Sequence, residues 1–239
     1  MSNLPKLTPR LKTVAGMVRP GGIIADIGTD HAYLPVYLVK SGLNPKVLAC
    51  DISEGPLERA KKTVLDYGAQ DKVGLMLCDG LDGVDYADDI VIAGMGGELI
   101  AKILCRCAFV RDFRVALVLQ PMTAVPELRS FLCKSGFEIK KESVAQEGRK
   151  LYVVMAATFT GKVNEPDEYF CLTGLLPQSC GELEREYLLR EADKLRTKSL
   201  GLRKSRHRKA EADTVEALAE KIELAARILE RNVENDKSK

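Results

Sequence analysis

The feature that most constrains the fold is an alternation of short apolar runs with helical patterns, which continues up to about Gly161. Strands that alternate with helices predict a parallel sheet covered by helices on both faces. Two final strands joined by a short polar turn predict an antiparallel edge strand. We therefore expect an α/β fold with a mostly parallel, seven-stranded sheet. The predicted strands lie near residues 22–26, 46–51, 73–78, 89–93, 114–119, 137–145 and 151–159.

The pattern changes after Gly161. A connector over residues 162–179 leads to a region that looks helical from Gly181 onward. Two apolar seams with coiled-coil spacing predict two helices that form an antiparallel hairpin, joined near residues 201–206. The expected domains are therefore 1–161 and 162–239. The two seams are Leu188, Ala192, Leu195, Ser199 and Leu202, and Val215, Leu218, Ile222, Ala225 and Leu229.

Composition limits the functional classes. The net charge is only +2, so any affinity for nucleic acid must come from local patches. Seven cysteines, an odd number and mostly in apolar surroundings, predict reduced core residues of a cytosolic protein. Cys105 and Cys107 form the only close pair, which is not the spacing of a zinc site. No signal-peptide core or membrane-length apolar stretch is present, so we expect a cytoplasmic protein without a bound metal or a membrane partner.

The first strand ends in the run Asp-Ile-Gly-Thr-Asp-His-Ala-Tyr-Leu-Pro at 26–35. Gly28 lets the backbone approach a ligand, and the helix that follows offers free N–H groups. Asp30 stands where a dinucleotide-binding turn that begins at Gly28 has its second glycine, and no third glycine follows at 31–35, which disfavours a pyrophosphate ligand. A ligand without phosphates, such as S-adenosylmethionine, fits better, with Asp26 or Gly28 facing its methionine part.

The ends of three further strands supply candidate cofactor contacts. Asp51 lies 23 residues beyond Gly28 and is placed to accept hydrogen bonds from a ribose. Asp79 and Gly80 follow the third strand, where the carboxylate can accept from the amine of adenine. The glycines of 94–97 leave space for a flat group, although solvated strand ends and a tight turn are the alternatives. The cofactor-binding candidates are Asp26, Gly28, Asp51, Ile52, Asp79, Gly80, Gly94, Met95 and Gly96.

Three residues of the first turn are candidates for chemistry. Asp30 stands inside the turn, one residue from His31, and is the candidate catalytic carboxylate. A solvated turn residue is the alternative for Asp30. His31 could act as a base or simply begin the helix. Tyr33 could stack on a base or on the cofactor, or it could pack in the core.

A basic segment at residues 194–209 contains no acidic residue and falls on the predicted hairpin tip. Such a tip can contact the phosphates of RNA, and a solvated helix face is the alternative. Arg10, Lys12 and Arg19 could extend this surface. The candidate RNA-binding residues are Arg203, Lys204, Arg206 and Arg208.

The ordered motifs of the chain resemble one family, the bacterial tRNA (adenine-N1)-methyltransferases that modify adenine 22. The resemblance covers nearly the whole chain. It implies a class I, Rossmann-like methyltransferase fold with a coiled-coil-like second domain, S-adenosylmethionine as cofactor, tRNA as partner, and Asp30 as the critical carboxylate. The motifs are 26–35, Asp51 with Gly55-Pro56, Asp79-Gly80-Leu81, 93–97 and Gln120-Pro121.

Two departures accompany this resemblance. The Asn/Asp-Pro-Pro-aromatic motif of many nucleic-acid N-methyltransferases is absent at 93–97, so the target base must be held differently. Family members commonly have Glu where this chain has Asp51, which is shorter but still reaches ribose hydroxyls.

Three other functions stay open at this point. They are a small-molecule methyltransferase, a non-catalytic RNA-binding or assembly protein that retains the cofactor fold, and a nicotinamide oxidoreductase, which the missing glycines disfavour. The helical seam could close within one chain or between two, and a monomer is favoured.

Overall fold

The computed structural model of the chain describes residues 4–236, with side chains described for 4–229. The chain divides into two compact units. The first comprises the chain up to Lys141 together with Ala145–Glu165, and the second comprises Glu142–Val144 and the chain from Pro166 onward. The boundary therefore lies four residues beyond the expected position at Gly161, and a short segment of the sequence before it belongs to the second unit.

The first unit contains seven strands and the second is mainly helical. The strands are β1 Ile23–Ile27, β2 Lys46–Asp51, β3 Val73–Leu77, β4 Asp89–Met95, β5 Ala116–Pro121, β6 Phe137–Glu147 and β7 Lys150–Phe159. The helices are α1 Pro9–Ala15, α2 Tyr33–Lys40, α3 Glu54–Asp66, α4 Gly97–Arg106, α5 Val125–Lys134, α6 Glu168–Thr173, α7 Glu182–Leu202 and α8 Lys209–Asp236. None of these helices, within the described residues, is long and apolar enough to cross a membrane.

The sheet has the strand order β3-β2-β1-β4-β5-β7-β6. Strands β1 to β5 pair in parallel, and β7 pairs with β5 in antiparallel orientation. The predicted mixed sheet is confirmed, with the antiparallel strand β7 one place in from the edge strand β6. The chain builds outward from β1 to β3 and then crosses to β4, so the strand order reverses between β1 and β4. Ligands of open α/β sheets bind at such a reversal.

The centre of the sheet is apolar. Every residue of β5 is buried, and Ile90 on β4 and Ile24 on β1 are fully buried. Each buried Val, Leu or Ile side chain contributes about 1.5–3 kcal/mol relative to full exposure. Asp89, at the amino end of β4, is also fully buried and is neutralised by Arg19 at 2.6 Å. Arg19 is thus tied to the start of a core strand while its side chain stays half exposed, and its place in a basic surface remains a prediction.

Helices α7 and α8 form the predicted antiparallel hairpin. All five predicted seam residues of α7 are buried. The α8 seam is wrong at two positions, because Leu218 and Ala225 are only half-buried while Ala219 and Ala226 are buried. Small alanines at the interface let the helices approach closely, and the Ser199 hydroxyl donates a hydrogen bond to the carbonyl of Ala212 at 3.0 Å. The buried seam of α8 is Ala212, Val215, Ala219, Ile222, Ala226 and Leu229.

Candidate active site

A cavity of about 270 Å³ opens where the strand order reverses, beyond the carboxyl ends of β1 and β4. This volume is close to the lower end of small-molecule sites, about 300 Å³. Six of the predicted site residues line it, three from the catalytic set and three from the cofactor set. Its lining is Arg10, Leu11, Asp26, Gly28, Thr29, Asp30, His31, Tyr33, Leu34, Ala93 and Gly94.

The turn after β1 is tied to the end of β2 through its backbone. The amides of Gly28 and Thr29 both donate to the carbonyl of Cys50, at 2.8 and 2.9 Å. The amide of Asp30 donates to Oδ2 of Asp51 at 3.3 Å. Gly28 has φ +76° and Asp30 has φ +50°, so the turn requires left-handed backbone. Strained backbone of this kind occurs at functional sites, where surrounding contacts hold it in place.

Asp26 lies in the wall of the cavity and is 5% exposed. Burial raises the pKa of its carboxyl to about 6, with an opposing effect of the Thr29 side chain and a further increase from the Asp51 charge. A carboxyl with this pKa changes its charge close to neutral pH. It can therefore accept a proton or bind a cationic group at the working pH of most enzymes.

Asp51 is nearly buried at the end of β2, beside the cavity and outside its lining. Its Oδ1 accepts from the amide of Ser53 at 3.1 Å, while its Oδ2 accepts from the amide of Asp30. These bonds fix the carboxylate, and each oxygen keeps capacity for a hydroxyl donor. The neighbouring Ile52 is 65% exposed.

Asp79 and Gly80 also lie outside the lining of the cavity. The amide of Cys78 donates to the carbonyl of Asp51 at 2.9 Å, which ties this segment to the end of β2. Arg106 donates to Asp79 at 2.7 Å and also pairs with Asp82. The predicted adenine contact is therefore a carboxylate that already carries one cationic partner.

A register shift between β4 and β5 lies at Gly94, where φ is +84°. The Gly94 amide donates to Oε1 of Gln120 at 3.1 Å, and Nη1 of Arg10 donates to the same oxygen at 2.6 Å. Gln120 is fully buried. Neither Arg10 nor Gln120 is among the predicted site residues, although Gln120 belongs to one of the family motifs. A polar residue at the end of an otherwise apolar strand is unusual in a core, and this pattern could have identified Gln120 from the sequence.

Met95 and Gly96 follow the lining residue Gly94 in the chain. A Cβ atom on Gly28 would lie 2.3 Å from Cε of Met95, so the Met95 side chain packs directly against the first turn. Gly96 is the N-cap residue of α4. Neither residue lines the cavity.

The three candidates for chemistry lie together at the cavity. The side chain of Asp30 is 58% exposed and forms an ion pair with Arg59, with Nη2 2.7 Å from Oδ1. His31 Nε2 lies 3.8 Å from Oδ2 of Asp30. The rings of His31 and Tyr33 stack with their centroids 5.5 Å apart. Tyr33 is 41% exposed, so the alternative that it packs in the core is wrong.

The four candidate RNA-binding residues at the hairpin tip differ in whether a carboxylate neutralises them. Arg203 forms an ion pair with Asp213 at 2.8 Å, and Arg208 forms one with Glu211 at 2.7 Å. Lys204 and Arg206 are exposed and have no carboxylate partner within the described residues. Among all the residues that the structure describes, no group of three or more His, Cys, Asp and Glu side chains is arranged to hold a metal ion.

Comparison with known proteins gives a consistent set of similarities. A family model described as a methyltransferase domain matches residues 7–155. The tRNA (adenine(22)-N(1))-methyltransferase of Bacillus subtilis is 38% identical over 154 residues, which span 64% of this chain and 65% of that protein, slightly less than two thirds of its length.

Solved structures are similar over more of the chain. A Streptococcus pneumoniae protein, provisionally assigned as a tRNA (m1A22) methyltransferase, is 30% identical with a TM-score of 0.81, over 92% of this chain and 100% of the other. TrmK from M. capricolum, in complex with S-adenosylhomocysteine, is 27% identical with a TM-score of 0.76, over 93% of this chain and 99% of the other.

Proposed function

This chain belongs to the methyltransferase domain family and to the tRNA (adenine(22)-N1)-methyltransferases within it, and from that premise we propose that it transfers a methyl group from S-adenosylmethionine to N1 of adenine 22 in tRNA. The observation that carries the proposal is the cavity at the strand reversal, which gathers Asp26, Asp30 and the stacked rings of His31 and Tyr33. The cavity lining therefore includes one buried and one exposed carboxyl group.

The residues present fit S-adenosylmethionine, which when bound supplies an electrophilic methyl group on a sulfonium. Glycines with positive φ at 28 and 94 leave the cavity wall without Cβ atoms; at Gly94 a Cβ would lie 3.7 Å from Nη1 of Arg10. We assign Asp26 to the cationic amine of the cofactor and Asp51 to its ribose hydroxyls. Asp79 is assigned to the adenine amine. Ile52, Gly80, Met95 and Gly96, which lie outside the cavity lining, are assigned to the cofactor as well.

Asp30 is the group that we assign to the target base. Adenine N1 lies on the Watson–Crick edge, so the base must be unpaired or drawn from its stack, at a cost of about a few kcal/mol. When N1 gains the methyl group, the adenine ring becomes cationic. A fixed carboxylate beside the ring stabilises that charge as it develops. We assign His31 and Tyr33, whose rings stack beside Asp30, to the same part of the site.

We assign the hairpin tip to the tRNA backbone. Lys204 and Arg206 are exposed cations without a carboxylate partner in the described chain, and such groups bind phosphates by releasing counterions. Arg203 and Arg208 are partly neutralised by their ion pairs, so they contribute less in this assignment.

We propose a cytoplasmic monomer. All seven cysteines are free thiols, which suits a reducing compartment. The α7–α8 seam closes within one chain, so it requires no second copy.

The test is a methyl-transfer assay with labelled S-adenosylmethionine and tRNA isolated from cells that lack the enzyme. The expected product is 1-methyladenosine, identified by mass spectrometry after digestion to nucleosides. An absence of label in RNA, with S-adenosylhomocysteine binding intact, would contradict the proposal. Label in an added small molecule in the absence of RNA would favour a small-molecule methyltransferase.

A further inference from the structure

We infer that Arg59 is a positioning residue, which fixes the orientation of the Asp30 carboxylate before the tRNA arrives. This inference rests on the proposed function, because it concerns the carboxylate assigned to the target adenine. Arg59 Nη2 donates to Oδ1 of Asp30 at 2.7 Å, the length of a charge-assisted hydrogen bond. The two side chains are 49% and 58% exposed.

The Asp30 side chain needs such an anchor. Its backbone is fixed, since its amide donates to Asp51, but an exposed aspartate side chain samples several staggered rotamers. His31 does not supply the anchor, because its Nε2 lies 3.8 Å from Oδ2, beyond hydrogen-bond length. The bond from Arg59 to Oδ1 selects one orientation and leaves Oδ2 on the side of His31.

The position of Arg59 links this anchor to the cofactor side of the site. Arg59 lies in the second turn of α3, which begins directly after Ser53. The Ser53 amide donates to Oδ1 of Asp51, and Oδ2 of Asp51 accepts from Asp30. The carboxylate assigned to the ribose therefore contacts both the turn that carries Asp30 and the start of the helix that carries Arg59.

The contribution of this ion pair lies in orientation and much less in stability. Exposed ion pairs add little to folding stability. Misplacing a reacting group by about 1 Å can lower a rate by about 10²-fold. We therefore expect Arg59→Gln to lower kcat by about tenfold or more, with the KM for tRNA and the Kd for S-adenosylhomocysteine changed by less than about threefold. Since Arg59 makes a single nitrogen–oxygen contact, Arg59→Lys should restore part of kcat.

A double-mutant cycle tests this role. Single-turnover rates, with enzyme in excess so that slow variants remain measurable, are compared for wild type, Arg59→Gln, Asp30→Asn and the double variant. Lys62→Gln, an exposed change on the same helix, is the matched control and should leave the rate unchanged. If Arg59 acts through Asp30, Arg59→Gln should have little further effect once Asp30 has become asparagine. A crystal structure of Arg59→Gln should show the Asp30 side chain in a new rotamer or in several.

Other results would overturn the inference. An equal loss from Arg59→Gln in both backgrounds would show that Arg59 acts independently of Asp30. A raised KM for tRNA with unchanged kcat would make Arg59 a phosphate contact. An Asp30 side chain that keeps its single orientation in Arg59→Gln would also contradict it. Failure of the proposed function is distinguishable, because the wild-type enzyme itself would then leave tRNA unmethylated.

Discussion

Around the cavity, charged side chains are bound by residues that are distant in the sequence, whereas the arginines of the hairpin tip pair with carboxylates that are close in the sequence. Arg10 binds Gln120, 110 residues away, and Asp30 binds Arg59, 29 residues away. At the tip, Arg208 binds Glu211 only three residues away. Long-range contacts fix a charge in space, as stabilisation of a developing cation requires. Binding to a phosphate backbone needs charge more than fixed geometry.

The largest expected effect is that of Asp30→Asn. The substitution keeps the shape of the side chain and removes the fixed charge, so kcat should fall by about 10²-fold or more. Affinity for S-adenosylhomocysteine should stay within about threefold, because Asp30 is not assigned to the cofactor. The measurements are single-turnover methylation of tRNA and calorimetric titration. Asp66→Asn, an exposed change at the end of α3, is the control. Wild-type turnover in Asp30→Asn would remove the carboxylate from the chemistry.

The second prediction separates the stability of the helical hairpin from ligand binding at the cavity. Ala219→Leu inserts a bulky side chain into the fully buried seam and should destabilise the helix pair by about 1–3 kcal/mol. Amide hydrogen exchange in α7 and α8 measures this loss, and S-adenosylhomocysteine binding should remain. Ala217→Leu makes the same change at an exposed position and should have little effect. Equal exchange rates in the two variants would contradict the seam described above.

The third prediction concerns the pH dependence of ligand binding at the cavity. Burial raises the pKa of Asp26 to about 6, so the carboxyl is charged at pH 7.5 and mostly protonated at pH 5. Because the charged form is assigned to the cationic amine, affinity for S-adenosylhomocysteine should fall as pH is lowered, by about tenfold over this range for a single group. Asp26→Asn should weaken binding and remove this dependence. Affinity in the wild type that does not change with pH would refute the assignment of Asp26.

The smallest expected effect is that of the hairpin cations. Replacing both Lys204 and Arg206 with alanine should weaken tRNA binding several-fold and reduce the slope of log K against log salt by about 1.4–1.8. Replacing Arg203 and Arg208 is the matched control and should do less, because their charges are already paired. Binding measured over a salt series decides between the two pairs. Equal losses from both double variants would show that local pairing does not affect phosphate binding.

Much of the fold was predictable because its signals are local. Every strand except β6 is a mainly apolar run bounded by polar or glycine-rich segments. The family resemblance drawn from the motifs is confirmed by the comparisons. The α8 seam was misplaced because alanine is compatible with both exposed and buried helix positions. Only the packing against α7 determines that Ala219 and Ala226 are buried.

At the cavity, too, the sequence predicts local motifs but not contacts between distant residues. Asp26, Gly28 and Asp30 form one short motif, so the sequence could place them together. Arg59 and Arg10 reach the site through contacts that no local spacing encodes. The Arg208–Glu211 ion pair could be predicted from its i,i+3 spacing. The pairing of Arg203 with Asp213 depends on the conformation of the turn between α7 and α8, which the spacing does not give.

The measurement that tests the central claim most directly uses two unmodified tRNA transcripts that differ at one nucleotide, with adenine or guanine at position 22. Each is incubated with the enzyme and S-adenosylmethionine, digested with a ribonuclease, and mapped by mass spectrometry. One added methyl group on the fragment that contains adenine 22, and none on the guanine transcript, is the predicted result. Methylation at another nucleotide, or equal methylation of both transcripts, would contradict the account.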